Sequence, residues 1–125
     1  MDQLSSFAAD TFGQHAAELP EPINAVKFVQ GALERWSAAN GTQPLSIPAI
    51  ATLLVLQMVQ DPSTVKVYIT TAVRSVTVEF EVEELDKGRL IGKGGHTIDA
   101  LRSLTRSAAG ASERDYQIYL IEDHG

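Results

Sequence analysis

Arg89-Leu90-Ile91-Gly92-Lys93-Gly94-Gly95-His96-Thr97-Ile98 decides how the rest of this chain reads. Gly92, Gly94 and Gly95 fall within four positions, with Lys93 among them and apolar residues on either side. Glycine adopts positive φ without penalty and lets another backbone approach closely, so this cluster predicts a tight turn against a ligand. Gly94 and Gly95 lead into Thr97-Ile98-Asp99-Ala100-Leu101-Arg102, a helical pattern. The free N–H groups of a helix start, at the positive end of its dipole, favour an anion such as phosphate. Lys93 adds a full charge at the same point.

Spacing separates three phosphate motifs that compete for these residues. A Walker A loop needs four residues between its first glycine and the Gly-Lys pair, followed by Ser or Thr. Gly88 to Gly92-Lys93 leaves three, and Gly94 follows, so that reading fails twice. A dinucleotide fingerprint needs a third glycine three residues after the second, and a strand immediately before. Thr97 occupies that position, and Glu83 to Ile91 reads as a short helix. Helix, Gly-x-x-Gly, helix is the arrangement that fits, and it is that of the RNA-clamping loop of KH domains, which holds about four nucleotides.

Val82 to Leu104 resembles the core of a bacterial type-II KH domain, and more narrowly the small single-KH RNA-binding proteins called KhpA-like. Leu85-Asp86-Lys87-Gly88-Arg89-Leu90-Ile91-Gly92-Lys93-Gly94-Gly95 and Thr97-Ile98-Asp99-Ala100-Leu101-Arg102 carry the resemblance. It begins near Leu54, where Met58-Val59-Gln60-Asp61-Pro62-Ser63-Thr64-Val65-Lys66-Val67 is similar to that family's first helix, Asp-Pro turn and first strand, and it runs to Asp123. The resemblance implies an α+β fold, a mixed three-stranded sheet with helices packed on it. Residues 1–45 would be an N-terminal helical extension that the minimal family does not need, and 46–125 the KH domain.

Length and composition agree with this and exclude much else. The 125 residues suit one domain with a modest core, and 44% apolar residues place the chain among globular proteins. The absence of cysteine rules out disulfides, thiolate metal sites and thiol nucleophiles. Met1-Asp2-Gln3-Leu4-Ser5-Ser6 lacks a basic segment followed by an apolar run, and no stretch is long and apolar enough to span a membrane, so a cytoplasmic location is expected. His15, His96 and His124 are too widely spaced for a zinc pair, no serine sits in a Gly-x-Ser-x-Gly elbow, and helix capping accounts for Glu83, Glu84 and Asp86. Neither an enzyme nor a metal or other cofactor is expected.

The net charge of −6 runs against nucleic-acid binding. Its distribution does not: Lys87, Arg89, Lys93, Arg102 and Arg106 against Asp99 give a local +4 between positions 87 and 106, leaving −10 elsewhere. Charges more than about 8 Å apart are largely screened at physiological salt, so a local basic strip can still meet phosphate. The acidic remainder weakens non-specific binding and favours a basic partner.

Before the glycine stretch, Leu4, Phe7, Ala8 and Phe12 have helical spacing, but Gly13 and Pro20-Glu21-Pro22 interrupt, leaving a docking helix or a loose tail over 1–21. Ile23 to Ala39 is a helix on the stripe Ile23, Val26, Val29, Leu33 and Trp36, ended by Asn40-Gly41. Trp36 reads as a core or dimer contact ahead of a base-stacking platform. Ser46 caps a helix to about Gln60, apolar nearly all round at Ile50, Leu53, Leu54, Leu56 and Val59. Val65, Val67 and Ile69, then Val76, Val78, Phe80 and Val82, alternate as the inward faces of an antiparallel hairpin turning at Thr71 to Arg74. Ile98, Leu101, Leu104 and Ala108 mark the buried face of the helix after the glycines, and Tyr116 to Ile121 is a last strand, parallel to the second.

The resulting expectation is a single-stranded RNA-binding protein, an RNA chaperone or post-transcriptional regulator. The contacts would come from Arg89, Ile91, Gly92, Lys93, Gly94, Gly95, His96, Thr97, Ile98 and Arg102. The glycines would let the RNA backbone press close, and Lys93 and Arg89 would attract it without regard to sequence. Ile91 and Ile98 would form an apolar floor for bases or belong to the ordinary core. His96 stands where the family often has arginine and is largely neutral at pH 7, so it holds phosphate less well. One KH module binds weakly, and the resemblance implies pairing as a homodimer or with another KH-containing RNA-binding protein. The alternative is a protein-interaction or dimerisation module with a KH fold and little RNA binding. The sequence neither supports nor excludes ribosome association.

Overall fold

The computed structural model describes residues 20–110 and 114–121, in the order β1 (Ile23–Asn24), α1 (Ala25–Ala38), α2 (Ile47–Met58), β2 (Lys66–Thr71), β3 (Ser75–Glu81), α3 (Glu84–Ile91), α4 (His96–Ala109) and β4 (Asp115–Leu120). The sheet order is β1-β2-β3-β4. β2 and β3 form the expected antiparallel hairpin, with Val67 opposite Phe80 and Ile69 opposite Val78. β3 and β4 run parallel, Val78 beside Ile118, because α3 and α4 carry the chain back across the sheet. This is the mixed α+β arrangement read from the sequence, with one addition. Ile23 and Asn24 pair antiparallel with Val67 and Lys66 as a fourth, two-residue strand at the sheet edge. The helix read from Ile23 therefore starts at Ala25, where the Asn24 side chain accepts from the N–H of Lys27 at 2.9 Å.

One apolar layer holds the helices to the sheet. Val65, Val67, Val76, Val78, Phe80, Val82 and Ile118 point inward and share a core with Ala25 and Val29 of α1, Ala51, Val55 and Leu56 of α2, Leu90 of α3, and Ile98 and Leu101 of α4. The outer face of the sheet is polar, as the alternation of β3 requires. α2, apolar nearly all round, is accounted for by burial among the other helices, and its Ser46 cap accepts from Ala49 at 3.3 Å. Two helices face differently from the expected stripes. On α1 the buried positions are Ala25, Val29 and Ala32, while Ile23, Leu33 and Trp36 are exposed, so Trp36 is not a core residue. On α4 the buried face is Ile98, Leu101 and Thr105. Leu104 is exposed, and the Thr105 hydroxyl is satisfied by the Leu101 carbonyl at 2.8 Å. The stretch containing Leu4, Phe7, Ala8 and Phe12 lies outside the described residues, as do His15 and His124.

Asp86 is the buried charge that fixes α3. Only 1% exposed, it shares a helix face with Leu90, and its Oδ1 accepts from the N–H of Gln60, just past the end of α2, at 3.0 Å. Arg89 Nη1 stands 3.7 Å from the same oxygen. Helix capping therefore does not account for Asp86. No side chain caps α3 at all; the carboxylate spans from one helix to the chain leaving another.

Asp86→Ala removes the charged acceptor of the Gln60 N–H, so it should lower unfolding free energy by about 2 kcal/mol in urea titrations, and Asp86→Asn, which keeps an acceptor, should lose less. Equal stability of the alanine variant and the wild type would show that this link does not hold α3. A second expectation concerns pH. Glu79, between Tyr68 and Tyr119 on the outer face, has its pKa raised above the ordinary 4.5 by burial. A raised carboxyl pKa contributes stability that is fully present below the ordinary value and is lost as pH rises through the folded-state value. Glu79→Gln should therefore melt above the wild type at neutral pH, with the gap closing below pH 4.5; a gap independent of pH would refute the assignment.

Candidate nucleic-acid interface

α3 ends at Ile91 and α4 begins at His96, and the reversal between them is made by glycines. Gly92 has φ 76°, Gly94 φ 64° and Gly95 φ 81°, all in the region that favours glycine. Gly92 donates to Gly88 and so closes α3 at 2.9 Å, and Gly95 donates to Gly92 at 3.1 Å across the turn. The three glycines do different work. A Cβ on Gly92 would stand 2.7 Å from Thr97 Cβ, 2.8 Å from its backbone nitrogen, and closer still to its hydroxyl, so only hydrogen fits. A Cβ on Gly94 or Gly95 would meet nothing nearer than His96 Nε2 at 3.8 Å or Asp99 Oδ2 at 3.9 Å. Gly92 packs the turn against Thr97, and Gly94 and Gly95 have open space where a side chain would stand.

Thr97 is thus the residue against which the turn closes. Lys93, Gly94 and His96 are exposed, Gly95 is half-buried, and no side chain caps the first turn of α4. The N–H groups of Gly95 and His96 donate within the turn to the carbonyls of Gly92 and Lys93, and beside them stand a helix start that no side chain caps and the Lys93 ammonium, which has no ion-pair partner among the described residues. Ile91 is half-buried, whereas Ile98, 9% exposed, belongs to the core. The structure brings Gly92, Lys93, Gly94, Gly95, His96 and Thr97 together on one turn.

Arg89 and Arg102 stand differently. Arg89 leans on Asp86, and Lys87 pairs with Glu84 at 3.3 Å. Arg102 lies against the open edge of β4: its Nε donates to the Ile118 carbonyl at 3.0 Å, Nη1 is 3.4 Å from Asp99 Oδ1, and the guanidinium lies 5.9 Å from the Tyr119 ring centre. The basic strip counted in the sequence is therefore thinned by carboxylates, and Lys93 and Arg106 are its members outside ion pairs among the described residues.

Arg102 forms one wall of a cleft of about 360 Å³ between α4 and β4, which Arg106, Tyr116, Gln117 and Tyr119 also line. Tyr119, 44% exposed, offers an aromatic face there. The sequence reading placed no site residue on β4. The available signal was that Arg102 and Arg106, four apart, share one helical face. Among the described residues no cluster of His, Cys, Asp and Glu could hold a metal, and no helix is long and apolar enough to cross a membrane.

The profile of the KhpA/KhpB KH domain matches residues 49–120. A protein named RNA-binding protein KhpA from Mycobacterium tuberculosis (strain ATCC 25618 / H37Rv) is 41% identical over 61 residues, which cover 49% of this chain and 76% of that protein. Its namesake from Mycobacterium leprae (strain TN) is 38% identical over the same length and shares. No solved structure gives a significant match. Because the profile covers more than half of the chain, from within α2 to the end of β4 and including the glycine turn, this protein belongs to the KhpA/KhpB family of KH domains.

Proposed function

We propose that this protein binds single-stranded RNA by clamping its backbone on the Gly92-Lys93-Gly94-Gly95 turn and laying its bases along the cleft between α4 and β4. The observation that carries this reading is the turn itself, in which Gly94 and Gly95 at positive φ leave an exposed face beside Lys93 and an uncapped helix start. Phosphate oxygens there accept from backbone amides, and Lys93 adds attraction that falls as salt rises. Bases stack or rest on Tyr119 and the apolar surface at Ile91, and backbone groups on the open edge of β4 meet base edges. Arg102, held by Ile118 and Asp99, serves the cleft wall more than the turn. The names of the mycobacterial relatives support the same ligand class.

In this reading the protein is a binding module and not an enzyme, and it acts in the cytoplasm as an RNA chaperone or post-transcriptional regulator. Residues 1–45 form its extension and 46–125 its KH domain. A second reading, pairing with another protein, has one observation in its favour. Leu33 and Trp36 are exposed on α1, in the part of the chain that precedes the family match. A homodimer or a complex with another KH-containing protein through that helix adds avidity to a module that binds RNA weakly alone.

Gly94→Asp/Gly95→Asp tests the first reading. Aspartate is among the residues least strained at positive φ and finds open space here, so the melting temperature should change little. Two carboxylates at the phosphate position should lower affinity for a single-stranded oligoribonucleotide by about tenfold or more in fluorescence anisotropy. Unchanged affinity in a folded variant would refute the site.

A further inference from the structure

At the far end of α4 from the glycine turn, a second basic site lies across three separate pieces of chain. Arg74 ends the turn between β2 and β3, Arg106 is in the last turn of α4, and Arg114 precedes β4. All three line one cavity of about 340 Å³, together with Gly110, Asp115 and Tyr116. The Arg74 carbonyl accepts from the Asp115 N–H at 2.8 Å, which ties the hairpin turn to the start of β4 and holds two of the arginines side by side. The one described carboxylate in the lining, that of Asp115, accepts from Gln117 Nε2 at 3.1 Å. Neither Arg74 nor Arg106 has an ion-pair partner among the described residues.

The cavity shares Arg106, Asp115 and Tyr116 with the cleft between α4 and β4, so the two are continuous. The glycine turn sits at one end of that path and the arginines at the other, separated by the 14 residues of α4, roughly 20 Å at the helical rise. In a chain with a net charge of −6, arginines from three pieces of chain line the open end of one cleft, and two of them, Arg74 and Arg106, have no ion-pair partner among the described residues. Guanidinium pairs with phosphate through two parallel hydrogen bonds and carries its charge at any physiological pH.

We infer that Arg74, Arg106 and Arg114 form a second phosphate-binding site, which grips the same RNA strand after it has run along α4 from the glycine turn. This rests on the proposed RNA-binding function and extends it: the domain holds one strand at two points and favours RNA long enough to reach both. The pattern was hidden in the sequence because the three arginines lie 32 and 8 residues apart on a loop, a helix and a strand entry, and the parallel register of β3 and β4 is what sets Arg74 beside Arg114.

The test uses the whole chain and two fluorescein-labelled single-stranded oligoribonucleotides, one of about four nucleotides, the size a Gly-x-x-Gly turn clamps, and one of about ten. In Arg74→Gln/Arg114→Gln, affinity for the longer oligonucleotide should fall about tenfold. The slope of log affinity against log salt should drop by roughly 1.4, since each lost phosphate contact removes about 0.7. Affinity for the shorter one should stay within about twofold. Both side chains are exposed, so melting should be unchanged, and Arg74→Gln alone should remove about half of the slope change. An unchanged slope with the longer oligonucleotide, or equal losses with both, overturns the second site. Gly94→Asp/Gly95→Asp separates the two ideas. If it spares the short oligonucleotide while the arginine variant weakens the long one, the glycine turn is wrong and the arginine site stands. If it abolishes both while the arginine variant changes neither, the reverse holds.

Discussion

The contact on which the site depends is the one between Gly92 and Thr97. With no room for a single carbon beyond the Gly92 Cα, the chain leaving α3 is pressed against the first turn of α4, and the intervening residues have to turn outward. That packing, and not flexibility, is the reason for glycine at this position. Its consequence is a narrow ridge where Lys93, Gly94 and His96 are exposed and no side chain caps α4. The ridge would drift if α3 did, and α3 is short and has no side-chain cap. The buried Asp86 supplies the missing anchor by joining α3 to the chain that leaves α2. Turn geometry, helix position and core are thus one mechanical unit, with Leu90, Ile98 and Leu101 closing it against the sheet.

An acidic protein that handles an anionic polymer has to solve a charge problem, and the arrangement of ion pairs is part of the solution. Glu84, Asp86 and Asp99 each lie three residues from a cation on the same helix, which ties Lys87, Arg89 and Arg102 to local partners. The pairs of Glu84 and Asp99, whose carboxylates are exposed, are weak and add little stability. They do concentrate the uncommitted positive charge at Lys93 and, at the other end of α4, around Arg106. Because attraction to phosphate decays within about 8 Å at physiological salt, the placement of these few groups outweighs the sign of the total.

Much of this fold was legible in the sequence because strand alternation and glycine clustering are local signals. Val76, Val78 and Phe80 declare an inward face without help from any other part of the chain, and Gly92, Gly94 and Gly95 announce a turn through their own backbone requirements. The misreadings occurred where a partner decided the outcome. Ile23 looked like the start of a helix and is an edge strand, because Val67 was available to pair with it. Leu33 and Trp36 outrank alanine on any hydrophobic scale, yet Ala25, Val29 and Ala32 face the core, with Val26 and Phe28 packed against it. Thr105 is buried in place of Leu104 because its hydroxyl is satisfied within its own helix. Asp86 passed for a surface acid, and its burial depends on an amide 26 residues away. The contact of Arg102 with Ile118 has no local signal either, because the strand that holds it comes 16 residues later.

The central claim, that a nucleotide backbone rests on the amides between the two helices, is tested most directly by recording amide ¹H–¹⁵N spectra while a short single-stranded oligoribonucleotide is added. The account predicts that the largest shifts fall on Lys93, Gly94, Gly95, His96 and Thr97, with smaller ones along β4 at Gln117 to Tyr119. Saturable binding that leaves those turn amides in place and moves signals of α1 instead would contradict it.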